Sequence, residues 1–356
     1  MMNPVYIISA CAISPQNSFE SEDFLLEIRS TDTGKLFVQE PDYRPFINPV
    51  AIRRMSRLIK MGIGCGMKAL QDAGVQTPDA IITGTGLGSM TDTEKFLKDM
   101  ILLKEEALNP TFFIQSTYNS VNGWISVQTK STGYSQTYVN RGFSMEMALM
   151  DARLFLNEAA TPQYVLAGGF DELTEEYHLV KSKVGYWKEE LQQSRELLQH
   201  NDTAGTIGGE GAAFFVLSNR EDNALCQLRG SGMLQNPTAG KVASAILQLL
   251  QTYDVDAKAI DLVICGNDGD VRFEHLYTEW GTLLKDDTPF VTFKHLTGEY
   301  PTASGFAIWL ATRLFSSPKT REQFLHQKGE DTTPRHILIV NHYLLNTVSV
   351  TLLSKK

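Results

Sequence analysis

The fold class legible in this 356-residue sequence is α/β, because strands alternate with helices and that alternation runs twice through the chain. The first pass has an apolar run at 5–12, a helical pattern within 51–73 and a compact strand at 80–83 that opens into a glycine loop. The second has a strand near 225–228, a helical pattern at 239–253 and a strand at 262–265 that opens into GNDGD. Matching order and linker character predict two related α/β halves that share a core, residues 1–220 and 221–356. Helices between the strands favour stacked layers over a barrel.

Each element has a local reason. The run at 5–12 is short and apolar, as in a buried strand, whereas 15–50 is polar and rich in turn formers. Met55, Leu58, Ile59, Ile63, Met67 and Leu70 recur at helical spacing, with Pro49 at the entry and Gly74 as a stop. Residues 125–127 and 137–139 read as short structured runs around the polar turn STGYSQ. The stretch SMEMALMDARLFLNEAA reads as an amphipathic helix, and 164–167 as a strand closed by Gly168 and Gly169. The segment 189–200 reads as a solvated helix.

Thirty-two basic against 41 acidic residues give −9, a balance that argues against a nucleic-acid or anionic-membrane surface. Cys11, Cys65, Cys226 and Cys265 sit in or beside apolar stretches, with no metal spacing and no disulfide framework; buried free thiols are expected. The N-terminal apolar run has no basic flank and ends quickly, so it reads as a strand rather than a signal or a span, and a cytoplasmic location is expected. The loop GTGLGS has neither the G-x-G-x-x-G spacing nor a following Lys-Ser/Thr, and no cofactor is expected. In the middle of the chain a helix starts directly after an extended segment, aiming its first amides at residues 140–143. That is how α/β enzymes place a nucleophile or bind an anion. The turn itself carries no nucleophile, and Ser144 has no evident base beside it.

Four segments together resemble the β-ketoacyl synthases of the thiolase-like superfamily. They are RRMSRLIKMGIGCGMKALQDAG at 53–74, ITGTGLGS at 82–89, the block from 119 to 172, and GGEGAAFFVLS at 208–218. The resemblance implies a thiolase-like fold in which two duplicated halves stack as α-β-α-β-α. It also implies chemistry in which a cysteine at a helix start takes an acyl group and two histidines assist decarboxylation.

This sequence departs from that pattern at each catalytic position. Gly142 stands where the family has its cysteine, so no acyl thioester can form there. Asn267 falls on the first histidine and Glu299 on the second, while the family's lysine is retained as Lys294. A Lys294–Glu299 pair is a plausible structural replacement. In the C-terminal loop, NHYLLN at 341–346 puts Tyr343, Leu344 and Leu345 where the family has small residues. The resemblance then moves to the inactive homologues called chain length factors, of type II polyketide systems including aryl polyene and flexirubin-type pathways. By that resemblance the partners are a cysteine-bearing ketosynthase in a heterodimer and an acyl carrier protein, with a homodimer possible for the isolated chain. The interface is expected at Tyr134, Gln136, Thr137, Tyr138, Val139 and Asn140, and tunnel residues at Phe112, Phe113, Phe143, Met145 and Tyr343.

Two other functions fit the residues. One is an acyl hydrolase or acyltransferase using the same cavity, with Ser144, Glu146, Asn267, Asp268, Lys294, Glu299 and His342 as candidate groups; nucleophile, base and orienter cannot all be named among them. The other is a carrier-protein or lipid-binding module that needs no partner subunit.

Overall fold

The structure is a computed structural model that describes residues 3–20, 28–190, 193–278, 280–325, 333–344 and 347–356. The first half contributes strands β1 (Val5–Ile13), β2 (Ala80–Gly84), β3 (Tyr134–Tyr138), β4 (Tyr164–Asp171) and β5 (Gly211–Ser218). The second contributes β6 (Cys226–Gln235), β7 (Leu262–Cys265), β8 (Phe290–Thr292), β9 (His336–Tyr343) and β10 (Thr347–Ser354). Their order across the sheet is β8-β7-β9-β10-β6-β1-β5-β4-β2-β3. Read outward from the centre, the halves have the same order, each strand of one standing where its counterpart five numbers on stands in the other.

Directions repeat as well. The pairs β2–β3, β2–β4, β7–β8 and β7–β9 are parallel, while β4–β5, β1–β5, β9–β10 and β6–β10 are antiparallel. The halves join through antiparallel pairing of Val5–Ile7 with Cys226–Leu228. This is the duplicated α/β architecture that the alternation predicted.

Helices complete the layers. Helix α1 (Arg57–Ala73) packs on β1, β4 and β5, and its apolar stripe from Leu58 to Leu70 faces that core. It ends where Gly74 takes a left-handed conformation, φ 68°, and donates to Gln71 and Leu70 carbonyls. Helix α2 (Ser120–Thr129) lies beside α1. Helices α3 (Ser144–Glu158) and α5 (Ser304–Ser316) touch each other, and each packs on strands of both halves. A central layer must be apolar on every side, and α5 buries nearly every residue it has, including Phe306, Trp309 and Leu310. Helix α4 (Ala239–Thr252) covers β6 and β10 from outside.

Three local expectations differ. Residues 125–127 belong to α2, whose polar positions hid its period. The main helix starts at Arg57, because Pro49–Ile52 forms a separate turn ahead of it. The segment near 189–200 holds a 3-10 turn at Ser194–His200 with Leu197 fully buried, so it is packed rather than solvated. All four cysteines are free and buried, as expected. No helix among the described residues is long and apolar enough to cross a membrane.

Candidate functional site

Parallel strands place their C-terminal ends on one side of a sheet, and the loops that follow them build the site. After β3 the chain passes through Arg141, at φ 45°, into a 3-10 turn that runs straight into α3. Gly142 lies buried in that turn. A Cβ added there would come within 2.5 Å of Thr347 Oγ1 and of Tyr343 Cβ, and within 2.8 Å of Tyr343 Cδ1. Tyr343 at the end of β9 thus occupies the space that a side chain at position 142 would need. Its hydroxyl lies 3.4 Å from that of Tyr177. Leu345 and Asn346 of the same loop lie outside the described residues.

Ser144 is committed to structure: its hydroxyl donates to the Thr85 carbonyl at 3.0 Å and accepts from the Asn140 amide at 2.8 Å. Asp171, at the end of β4, ties the glycine loop down. Its carboxylate accepts from the Thr85 hydroxyl, the Gly86 and Leu87 amides, and both the amide and hydroxyl of Thr302. Burial pushes this carboxyl up to about 6 despite those donors. Glu210 of the GGEGA motif forms a two-pronged ion pair with Arg57 of the RRMSR segment and also accepts from the Val38 and Leu173 amides. Two of the segments that carry the family resemblance are therefore bonded to each other.

The second half supplies a buried polar cluster. Lys294 donates to Glu299 Oε2 at 2.6 Å and to the His342 carbonyl at 3.1 Å, and both ion-pair side chains are fully enclosed. The Lys294–Glu299 pair expected from the resemblance is present. His342 Nδ1 meets the Tyr277 hydroxyl at 2.7 Å, and its Nε2 lies 3.3 Å from Asp268 Oδ2. Burial pushes the Glu299 carboxyl up to about 7, with Lys294 opposing. Burial also works against the Asp268 anion, yet His342 and Lys294 outweigh it and hold that carboxyl below its usual range. Asp268, Glu299 and His342 each place one ligand atom within 4.8 Å of the others. Asn267 is half-buried and closes its own turn, its Oδ1 accepting from the Gly269 amide at 3.0 Å.

Of the other residues singled out from sequence, Met145 is fully buried in the shared core and Phe143 is buried beside Gly142. Phe112 lies under the Lys95 ammonium, 4.1 Å from its ring centre, and Phe113 is exposed. Strand β3 is an edge strand with β2 as its single neighbour. Tyr134, Gln136, Val139 and Asn140 are exposed, while Thr137 and Tyr138 are half-buried. Glu146 is buried, with the Ser349 hydroxyl donating to it at 2.7 Å. Sequence reasoning missed Asp171 and Tyr277. Asp171 stood in view in the AGGFDE end of β4, whereas Tyr277 has no signal short of the fold.

The family described as "Beta-ketoacyl synthase, N-terminal domain" matches residues 32–191. No curated protein matches this sequence. Among solved structures, the ishigamide ketosynthase/chain length factor superposes with a TM-score of 0.79 at 16% identity, each chain covered in full. A β-ketoacyl synthase from Burkholderia phymatum gives 0.78 at 16% identity, again over both full chains. A type II polyketide acyl-carrier protein in complex with its ketosynthase bound to the hexaketide gives 0.75 at 15%, with both chains covered in full. The fold is therefore that of the thiolase-like ketosynthases and chain length factors. Among the described residues no Cys-His-His set is recognisable: glycine stands at the start of α3, and the second half carries the cluster of Asp268, Lys294, Glu299 and His342.

Proposed function

We propose that this chain is a non-catalytic subunit of the chain-length-factor type. It would pair with a cysteine-bearing ketosynthase and shape the tunnel in which an acyl chain, delivered by an acyl carrier protein, is elongated. The observation that carries this reading is the closed space at Gly142: the position lacks a side chain, and Tyr343 and Thr347 fill the room one would take. A scaffold kept whole around such a position obtains its use from surfaces and shape.

The open edge of β3 supports the partnership. Unpaired backbone groups on an edge strand invite pairing with another chain. Tyr138 turns its carbonyl inward to the Thr85 amide, so by strand alternation the Thr137 amide faces the open edge. Trp124 and Val127 on α2, and Met150 and Leu154 on α3, flank this strand as exposed apolar side chains. On this reading Phe112, Phe113, Phe143, Met145 and Tyr343 border the tunnel, residues 1–220 and 221–356 are the two ketosynthase-like halves, and the protein works in the cytoplasm. The same reading assigns it to aryl polyene or flexirubin-type pathways.

Co-expression with the ketosynthase encoded beside it tests the assignment. A stable complex on size exclusion, and an altered rate or product length when this subunit is omitted, are expected. Thr137→Pro should weaken the complex by removing an edge donor, while Asn267→Ala leaves assembly intact. Failure to co-purify, with unchanged elongation on omission, would favour a binding module.

A further inference from the structure

The cluster of the second half has a pattern that ion pairing alone does not require. Each of three enclosed side chains has one polar atom held by the protein and a second with no hydrogen-bond partner. Asp268 Oδ1 accepts from the Asp270 amide at 3.2 Å, leaving Oδ2. Glu299 Oε2 accepts from Lys294, leaving Oε1. His342 Nδ1 is engaged by Tyr277, leaving Nε2. Asp268, Glu299 and His342 are 0%, 2% and 2% exposed. A buried polar atom without a partner is costly, and three in one place point to something that satisfies all of them.

We propose that Asp268, Glu299 and His342 bind a divalent transition-metal ion that fastens the segments following β7 and β8 to β9. Two carboxylate oxygens and one imidazole nitrogen suit Zn²⁺ or Mn²⁺, whereas Ca²⁺ and Mg²⁺ take oxygen ligands. Ligands about 2.1 Å from a tetrahedral ion stand roughly 3.4 Å apart. The 3.3 Å between His342 Nε2 and Asp268 Oδ2 already has that spacing. The widest permitted separation in the cluster is 4.8 Å, which an ion would draw in by about 1 Å. The groups behind the ligands fit too: Tyr277 can accept the Nδ1 proton and leave the Nε2 lone pair facing the ion, and Lys294 and the Asp270 amide orient the carboxylates. A water would complete the coordination.

The test is elemental analysis of the full-length protein as purified and after chelation, followed by titration with zinc chloride and melting with and without the metal. One zinc per chain, with a melting temperature that falls on chelation and returns on zinc addition, is expected. Asp268→Asn, Glu299→Gln and His342→Gln should each weaken binding by at least about 100-fold, and Tyr277→Phe, which keeps all three ligands, by about 10- to 100-fold. X-ray absorption of the zinc form should show nitrogen and oxygen neighbours without sulfur. A protein that holds no stoichiometric metal, takes up none and melts unchanged after chelation overturns the proposal, leaving a proton between His342 and Asp268 as the link. Uptake that persists undiminished in all three ligand variants overturns it equally.

Discussion

The two halves share strand order and strand directions, yet their functional ends have been treated in opposite ways. In the first half, the turn at the start of α3 carries Gly142, which has no side chain, and Tyr343 and Thr347 take up the space beside it. In the second, the matching strand ends carry Asp268, Lys294, Glu299 and His342, all enclosed. The first half therefore holds its enclosed carboxylate Asp171 with amide and hydroxyl donors, while the second sets enclosed carboxylates against the Lys294 ammonium.

The contrast can be broken most sharply at the ion pairs, one in each half. Lys294→Met leaves Glu299 enclosed without its cation, and a loss of about 3–5 kcal/mol is expected in denaturant unfolding. Glu210→Gln strands Arg57, but that side chain is 28% exposed and keeps Glu40, so a smaller loss of about 2 kcal/mol is expected. Equal losses would show that the second half is no more closed than the first.

Gly142 gives the next effect. Gly142→Ala forces Tyr343 or Thr347 to move, with an expected cost of about 1–3 kcal/mol. Combining it with Tyr343→Ala should cost less than the sum of the single changes, since the second change makes room for the first. Strict additivity would mean that Tyr343 does not close this space.

A further effect concerns pH. Glu172 in the first half accepts from the Thr91 amide and hydroxyl, and burial pushes its carboxyl up to about 7. An unfolded glutamate titrates near 4.3, so the folded protein holds the extra proton between those values. Its contribution is fully present below about pH 4 and is lost as pH rises through about 7, with a slope of at most about 1.4 kcal/mol per pH unit. Glu172→Gln, which resembles the protonated acid, should flatten that decline in melts between pH 5 and 8. An unchanged slope would show that Glu172 is already ionised at pH 5.

Much of this was legible in the sequence. The helical stripes of α1 and α4 and the compact apolar strands β2 and β7 gave the repeat, because burial of one face imposes a period. Gly142 could be singled out because an ungapped stretch leads to it from Gly133, but the crowding by Tyr343 and Thr347 could not be foreseen. The helix α2 was not, since Ser120, Asn122, Ser126 and Gln128 dilute its period, and packing on α1 and β2 decides it instead. The polar cluster was only half visible. Lys294 and Glu299 lie five residues apart in one segment, while Asp268 and His342 reach them because β7 stands between β8 and β9 in the sheet. Strand order of that kind is a property of the whole fold.

The proposed function turns most on the absence of an acyl nucleophile at Gly142, and intact mass spectrometry tests it most directly. Purified protein incubated with acyl-CoA and acyl-carrier donors should keep its unmodified mass, because Gly142 offers no thiol and the four cysteines are buried elsewhere in the core. A stable acyl adduct that maps to residues 140–150 would contradict the account.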